Sequence, residues 1–321
     1  VLRRLPLLPT ALLFGSALLA AVAIGFTPKT EAPASAATLP EAPSATVTPE
    51  VLFVPEQKSF PIANPPRLAV PALSDQELDR ALKEHVRDLG SISIGQAHRG
   101  QLFNGVHFPE GPLWDLKVAE AAYGTNESVL ALQAAIEEVN RMFPNTPRLA
   151  IGHLSRENGG WIRPHKSHQS GRDIDVGYYY LGGEQWYVPA TAENLDVVRT
   201  WALVSAMLKV ADVDYLFLDR SLHPLLRAEA ERVGESPGLI AEVFDGDASK
   251  QPIMRHARGH QTHLHVRFAS AVAVRTAQRV GARLGASASR RGALLGVLKQ
   301  RARVQAKSGN GASGLKTKRG H

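Results

Sequence analysis

The sequence predicts an α+β fold, a central, mainly antiparallel sheet with flanking helices. Two observations lead there. Helical and strand-like segments mix along the chain without the regular alternation of a doubly wound parallel sheet. The strand-like runs are short and apolar, while the helical stretches are longer and amphipathic. With 321 residues, 44% of them hydrophobic and 21% charged, the chain can bury a sizeable core.

The elements follow in order. Arg3 and Arg4 precede an uncharged apolar run at 11–26. That run falls short of the ~20 residues a spanning helix needs, so 1–26 reads as an export signal. It is either cleaved, with Ala21-Val22-Ala23 as a small-residue site, or kept as a membrane anchor. Both readings put the folded part outside the cytoplasm, in the periplasm or otherwise exported. Residues 27–73 are rich in Pro and Ala and read as an extended linker. At Ser74 a Ser-Asp-Gln-Glu capping box opens an amphipathic helix that carries Leu78, Leu82, Val86 and Leu89.

Residues 91–95 alternate as a short strand, and the Gly-rich stretch 100–112 reads as a loop. The clearest helix is 126–142. Asn126 can cap it, Val129, Leu132, Ile136 and Val139 share one face, and Pro144 ends it. Strands follow at 149–153 and 174–180. A helix with Val198, Trp201, Leu203 and Leu208 covers 195–210. A strand at 215–218 and a helix at 225–233 come next. In the last strand, 263–268, Leu264, Val266 and Phe268 share a face. The domain is thus expected over 74–270. The rest, 271–321, holds twelve Lys or Arg and no Asp or Glu. It reads as a basic, disordered tail suited to a membrane or an anionic cell-wall polymer. Because this tail carries the positive charge, the overall balance of +7 does not point to nucleic acid.

Cysteine is absent, which excludes disulfides, thiolate metal sites and cysteine nucleophiles. The chemistry concentrates in two segments. One runs from Arg163 through His165, His168, Gly171 and Arg172 to Asp173 and Asp175; the other holds His260, His263 and His265. On a strand, Asp173 and Asp175 point away from Ile174 and Val176, and His263 and His265 away from Leu264 and Val266. The apolar partners can enter the core while the polar ones face a cleft. A loop histidine, a strand aspartate and a histidine of a remote strand then supply three ligands, the number a catalytic zinc takes while leaving a position for water. A single His-x-His is a weak sign of metal; two such clusters in one chain are a stronger one.

The string Ser167-His168-Gln169-Ser170-Gly171-Arg172-Asp173-Ile174-Asp175, together with His263-Leu264-His265, resembles the penicillin-insensitive murein endopeptidases. These are zinc peptidases related to lysostaphin-like and D-Ala-D-Ala-cleaving enzymes. Gly95-Gln96-Ala97-His98-Arg99-Gly100 and Tyr123-Gly124-Thr125 extend the likeness, which covers about residues 90 to 270. The resemblance implies zinc ligands at His168, Asp175 and His265. It implies a catalytic or transition-state-stabilising His263, with His260 near the cleft. His165 would support the ligands or bind a second metal. The implied activity is hydrolysis of the D-alanyl–diaminopimelate cross-links of peptidoglycan. A carboxypeptidase trimming terminal D-alanine and a non-catalytic zinc-containing wall-binding module are the alternatives.

Beside these, Asp173 is either a carboxylate that orients a ligand histidine or a solvated strand end. Arg156, Arg163 and Arg172 are either clamps for a substrate carboxylate or plain surface charge. Trp161 and Tyr178–Tyr180 either wall the cleft or pack the core. His85, His98, His107, His153, His223 and His256 read as structural or exposed. No glutamate sits close before the last histidine, so His263, and after it His260, is the expected proton carrier.

Overall fold

The computed structural model describes residues 70–284 and 291–312. The expected signal or anchor, the linker as far as residue 69, and tail residues 285–290 and 313–321 lie outside the described residues.

A helical turn at Val70–Ala72 leads into α1 (Asp75–Glu84). The capping box forms as the sequence predicts, with Ser74 and Glu77 satisfying each other's backbone amides. The helix stops at Glu84, yet Val86 and Leu89 beyond it are still buried. β1 (Ile92–Gln96) and β2 (Arg99–Phe103) form a hairpin, and β3 (Val106–His107) pairs with β5 (Tyr123–Gly124). The 100–112 region is therefore not simply a loop. Gly100 is in β2 because a Cβ there would fall 2.3 Å from the Gln96 carbonyl oxygen and 2.7 Å from the Ser170 Cβ.

β4 (Trp114–Leu116) precedes α2 (Asn126–Met142), whose span matches the sequence reading. Its cap differs. Thr125 accepts from the Ser128 amide at 3.1 Å, and the Asn126 side chain instead accepts from the Ser91 amide at 2.9 Å. The chain continues through β6 (Leu149–Ile151), β7 (Asp173–Val176), α3 (Val197–Val210) and β8 (Val213–Leu218). It then runs through α4 (His223–Arg232), a single turn α5 (Pro237–Ile240), β9 (Met254–His256) and β10 (Leu264–Phe268).

Six strands form the main sheet in the order β4-β6-β7-β10-β8-β9. Pairing is antiparallel through the centre and parallel at the two outermost pairs, β4 with β6 and β8 with β9. The sheet is thus mixed rather than purely antiparallel. Alternation gives it two chemically different faces. Ile174, Val176, Leu216, Leu218, Leu264 and Val266 join Leu132, Ile136, Trp201 and Val204 of α2 and α3 in one core. Asp173, Asp175 and His265 alternate with those residues along β7 and β10, so the helices cover one face and the polar cluster occupies the other.

The boundary expected at residue 270 is not one. α6 (Ala271–Arg283) and α7 (Arg291–Ala312) follow directly. Val280, Leu294, Leu295 and Leu298 form a second core with Val70, Leu78, Leu82, Leu89, Ile92 and Phe103. The composition hid this because a narrow apolar stripe on α7 lies within a strongly cationic sequence. Arg279 and Arg283 pair with Asp75 and Asp79 of α1, so part of the positive charge is used inside the fold. Among the described residues no helix is long and apolar enough to cross a membrane.

Candidate metal centre

The centre is built on the β7–β10 pairing, where Asp175 lies directly opposite His265 and Asp173 opposite Arg267. The loop entering β7 adds His168. That loop is held from two sides. The Ser93 hydroxyl donates to the Ser170 carbonyl at 2.9 Å and the Gln169 amide to the Ala97 carbonyl at 3.0 Å, so the β1–β2 hairpin braces it. Ser155 Oγ donates to the His168 carbonyl at 2.5 Å. His168 itself has φ of 63° and Gly171 of 76°, left-handed conformations that turn the chain sharply into β7. Such strain in a non-glycine residue is typical of ligand-binding positions.

His168 is fully buried, and its Nδ1 lies 2.7 Å from the Leu154 carbonyl oxygen. A carbonyl only accepts, so Nδ1 carries the proton and Nε2 keeps its lone pair. That Nε2 is 3.2 Å from Asp175 Oδ1 but makes no hydrogen bond. His265 Nδ1 lies 3.0 Å from the same oxygen, and its Nε2 lies 2.9 Å from Asp173 Oδ1. Arg267 Nε donates to Asp173 Oδ1 at 2.6 Å. One ligand atom each from His168, Asp175 and His265 falls within 4.8 Å of the others. A buried imidazole lone pair without a partner, a carboxylate and a second imidazole are donors suited to a divalent ion. The residues present therefore fit a metal, and Asp173 stands where a carboxylate orients a ligand histidine.

Charge follows from this packing. Burial acts to raise the Asp173 carboxyl, but the hydrogen bond and charge of His265 and the charge of Arg267 outweigh it and hold it below the usual range. Asp175 is held well below it too, the adjacent imidazoles of His168 and His265 overriding burial. Burial acts to lower His265, yet its hydrogen bonds to Asp173 and Asp175 and their charges push it up to about 10. His263 is pulled down to about 4 by burial, against the opposing charge of Asp175. It is therefore neutral near pH 7, with Nε2 3.7 Å from Asp175 Oδ1.

The other expected residues divide. The half-buried His260 ring stands 4.9 Å from His263 and 5.7 Å from His265, so it belongs to the cluster. His165 Nδ1 lies 3.7 Å from Asp175 Oδ2, and burial lowers it to about 4. Arg172 is half-buried, engaged by Asp214 at 3.7 Å and by the Ala269 carbonyl at 3.4 Å. Arg156 and Arg163 are exposed. Tyr178, Tyr179 and Tyr180 are core residues, and Trp161 is exposed.

Sequence reasoning missed His153, read as structural or exposed. The Asp175 amide donates to its carbonyl at 2.8 Å, and its ring lies 4.6 Å from that of His165. His153, His165 and Asp175 make a second group with metal-binding geometry. The only signal was its place just past β6, and that becomes informative once β6 is known to neighbour β7. Arg267 was missed for the same reason. Trp186 and Tyr187, also missed, lie beside His263, with ring centroids 6.5 and 5.6 Å from it.

None of the curated proteins matches the chain. A family profile described as penicillin-insensitive murein endopeptidase matches residues 93–282, more than half of the sequence. The matched stretch contains the entire His/Asp cluster as well as the strands that assemble it. The chain therefore belongs to the penicillin-insensitive murein endopeptidase family, and its reaction is that of a peptidase acting on peptidoglycan.

Proposed function

We propose that the protein is a zinc-dependent endopeptidase that hydrolyses the D-alanyl–diaminopimelate cross-links of peptidoglycan. The observation that carries this reading is the convergence of His168 Nε2, Asp175 and His265 from a loop and two paired strands. When bound there, zinc would supply a Lewis acid that polarises the scissile carbonyl and lowers the pKa of a water molecule. The rest of the chemistry falls to the chain. His263, neutral and beside Asp175, takes a proton from the attacking water and returns it to the leaving amine. His260 stands behind it as a second imidazole in the same pocket of rings. Asp173, anchored by Arg267, fixes the orientation of His265.

His165, paired with His153 on the far oxygen of Asp175, supports the ligands or holds a second ion. Arg156 and Arg163 are exposed cations able to meet a substrate carboxylate. Peptidoglycan lies outside the cytoplasmic membrane, which agrees with the apolar run at 11–26 as an export signal. On α7, Lys299, Arg303 and Lys307 recur every fourth residue, a spacing that suits contact with an anionic envelope polymer.

The test combines metal analysis with digestion. Wild-type protein should carry zinc and convert cross-linked muropeptide dimers to monomers, read by mass. His168→Ala should lose both the metal and the cleavage. Dimers left intact while terminal D-alanine disappears would replace this reading with a carboxypeptidase, and no change in either would leave a binding module.

A further inference from the structure

The segment between β7 and α3 carries two aromatic residues that the chemistry above does not use. Trp186 lies against the centre: a Cβ added to Gly152 would fall 2.6 Å from its ring and 3.2 Å from the Asp175 Cβ. Tyr187 meets Trp186 edge-on, with centroids 5.4 Å apart. The Tyr187 ring lies nearly parallel to the His263 imidazole, at 5.6 Å and 15°. Even so, Tyr187 is 59% exposed, while Tyr178, Tyr179 and Tyr180 are buried.

Its backbone is left-handed, with φ of 63°, a conformation costly for a bulky L-residue. The surrounding segment is anchored. The Tyr180 hydroxyl donates to the Val188 carbonyl at 2.6 Å. The Ala190 amide donates to the Gln261 carbonyl at 2.8 Å, tying the segment to the stretch that carries His260 and His263. A tyrosine held in a strained conformation, stacked on a catalytic candidate and left mostly in water contributes little as core. Its outer face suits a flat, C–H-rich ligand surface.

We propose that Tyr187, backed by Trp186, is the substrate-positioning platform of this centre, stacking a C–H-rich face of the bound murein fragment beside His263. The inference rests on the peptidase reading above. That face belongs either to a pyranose ring of the glycan or to the methyl and methylene groups of the stem peptide.

Full-chain, metal-loaded protein is assayed on cross-linked muropeptide dimers with and without their sugars. Tyr187→Ala should raise KM about tenfold while leaving kcat and metal content unchanged, and Tyr187→Phe should keep the wild-type KM. A rise on both dimers assigns the peptide to the ring; a rise confined to the sugar-bearing dimer assigns the pyranose. An unchanged KM in Tyr187→Ala overturns the inference. So does loss of metal in that variant, which would make the ring a mere prop, and so does failure of Tyr187→Phe to keep KM. If wild type cleaves neither dimer, the peptidase reading fails separately. Calorimetric dissociation constants for the intact dimers then decide, with weaker binding by Tyr187→Ala upholding the platform and equal binding removing it.

Discussion

Asp173 has no room for an idle role. It is fully buried, accepts from Arg267 and faces Nε2 of His265, so removing its charge takes the carboxylate from a part-buried guanidinium and leaves the His265 imidazole less firmly oriented. Asp173→Asn should keep the shape of the site yet weaken metal affinity by roughly 10–100-fold, measured by competition with a chelator. Protons belong to this scale as well. In the ion-free protein His265 keeps its proton up to about pH 10, whereas a metal ligand must be neutral. Uptake at pH 7 should therefore release close to one proton from His265, and apparent affinity should rise with pH until about 10. Calorimetry in buffers of different ionisation enthalpy reads that number; uptake that is independent of pH would contradict the arrangement. The candidate ligands His168, Asp175 and His265 could be named from the sequence because strand alternation is local and the family resemblance gives meaning to the spacing from His168 to Asp175. His153 and Arg267 could not, because their meaning depends on which strands are neighbours.

At the scale of elements, the β1–β2 hairpin acts on the centre through Ser170. Gly100 leaves no space for a side chain, so Gly100→Ala should push the hairpin from the His168 loop and lower metal retention together with thermal stability. The sequence anticipated α1 to α4 and β1, β6, β7, β8 and β10, whose apolar patterning is strong, but not the short β4, β5 and β9 or the later helices. It lost β2 and β3, since a glycine-rich stretch has the composition of a loop and reveals its pairing only where another backbone approaches. The cap of α2 shifted for a comparable reason: Asn126 was drawn to Ser91, leaving Thr125 to close the helix. α7 offers a direct measure of tertiary override. Leu298 is fully buried in the second core, so Leu298→Ala should cost about 2–5 kcal/mol, visible as a lower midpoint in denaturant unfolding.

For the whole molecule, the family match ends at residue 282 while the packing goes on through α7. The second core joins α1, before the matched region, to α7, after it. A chain truncated after Leu284 should expose Leu82, Leu89 and Ile92, melt at lower temperature and aggregate more readily, whatever its remaining activity. Basic composition suggested a disordered tail, because charge density is read easily from sequence and a four-residue apolar stripe is not.

The face-to-face placement of Asp175 and His265 across two antiparallel strands ties catalysis to strand alignment. A slip by a single position would turn Val176 and Leu264 outward and drive carboxylates and imidazoles into the oily interior. Molecules able to hold an ion there are thereby those whose ribbons have met in phase, and metal retention would report on correct folding as much as on readiness for chemistry.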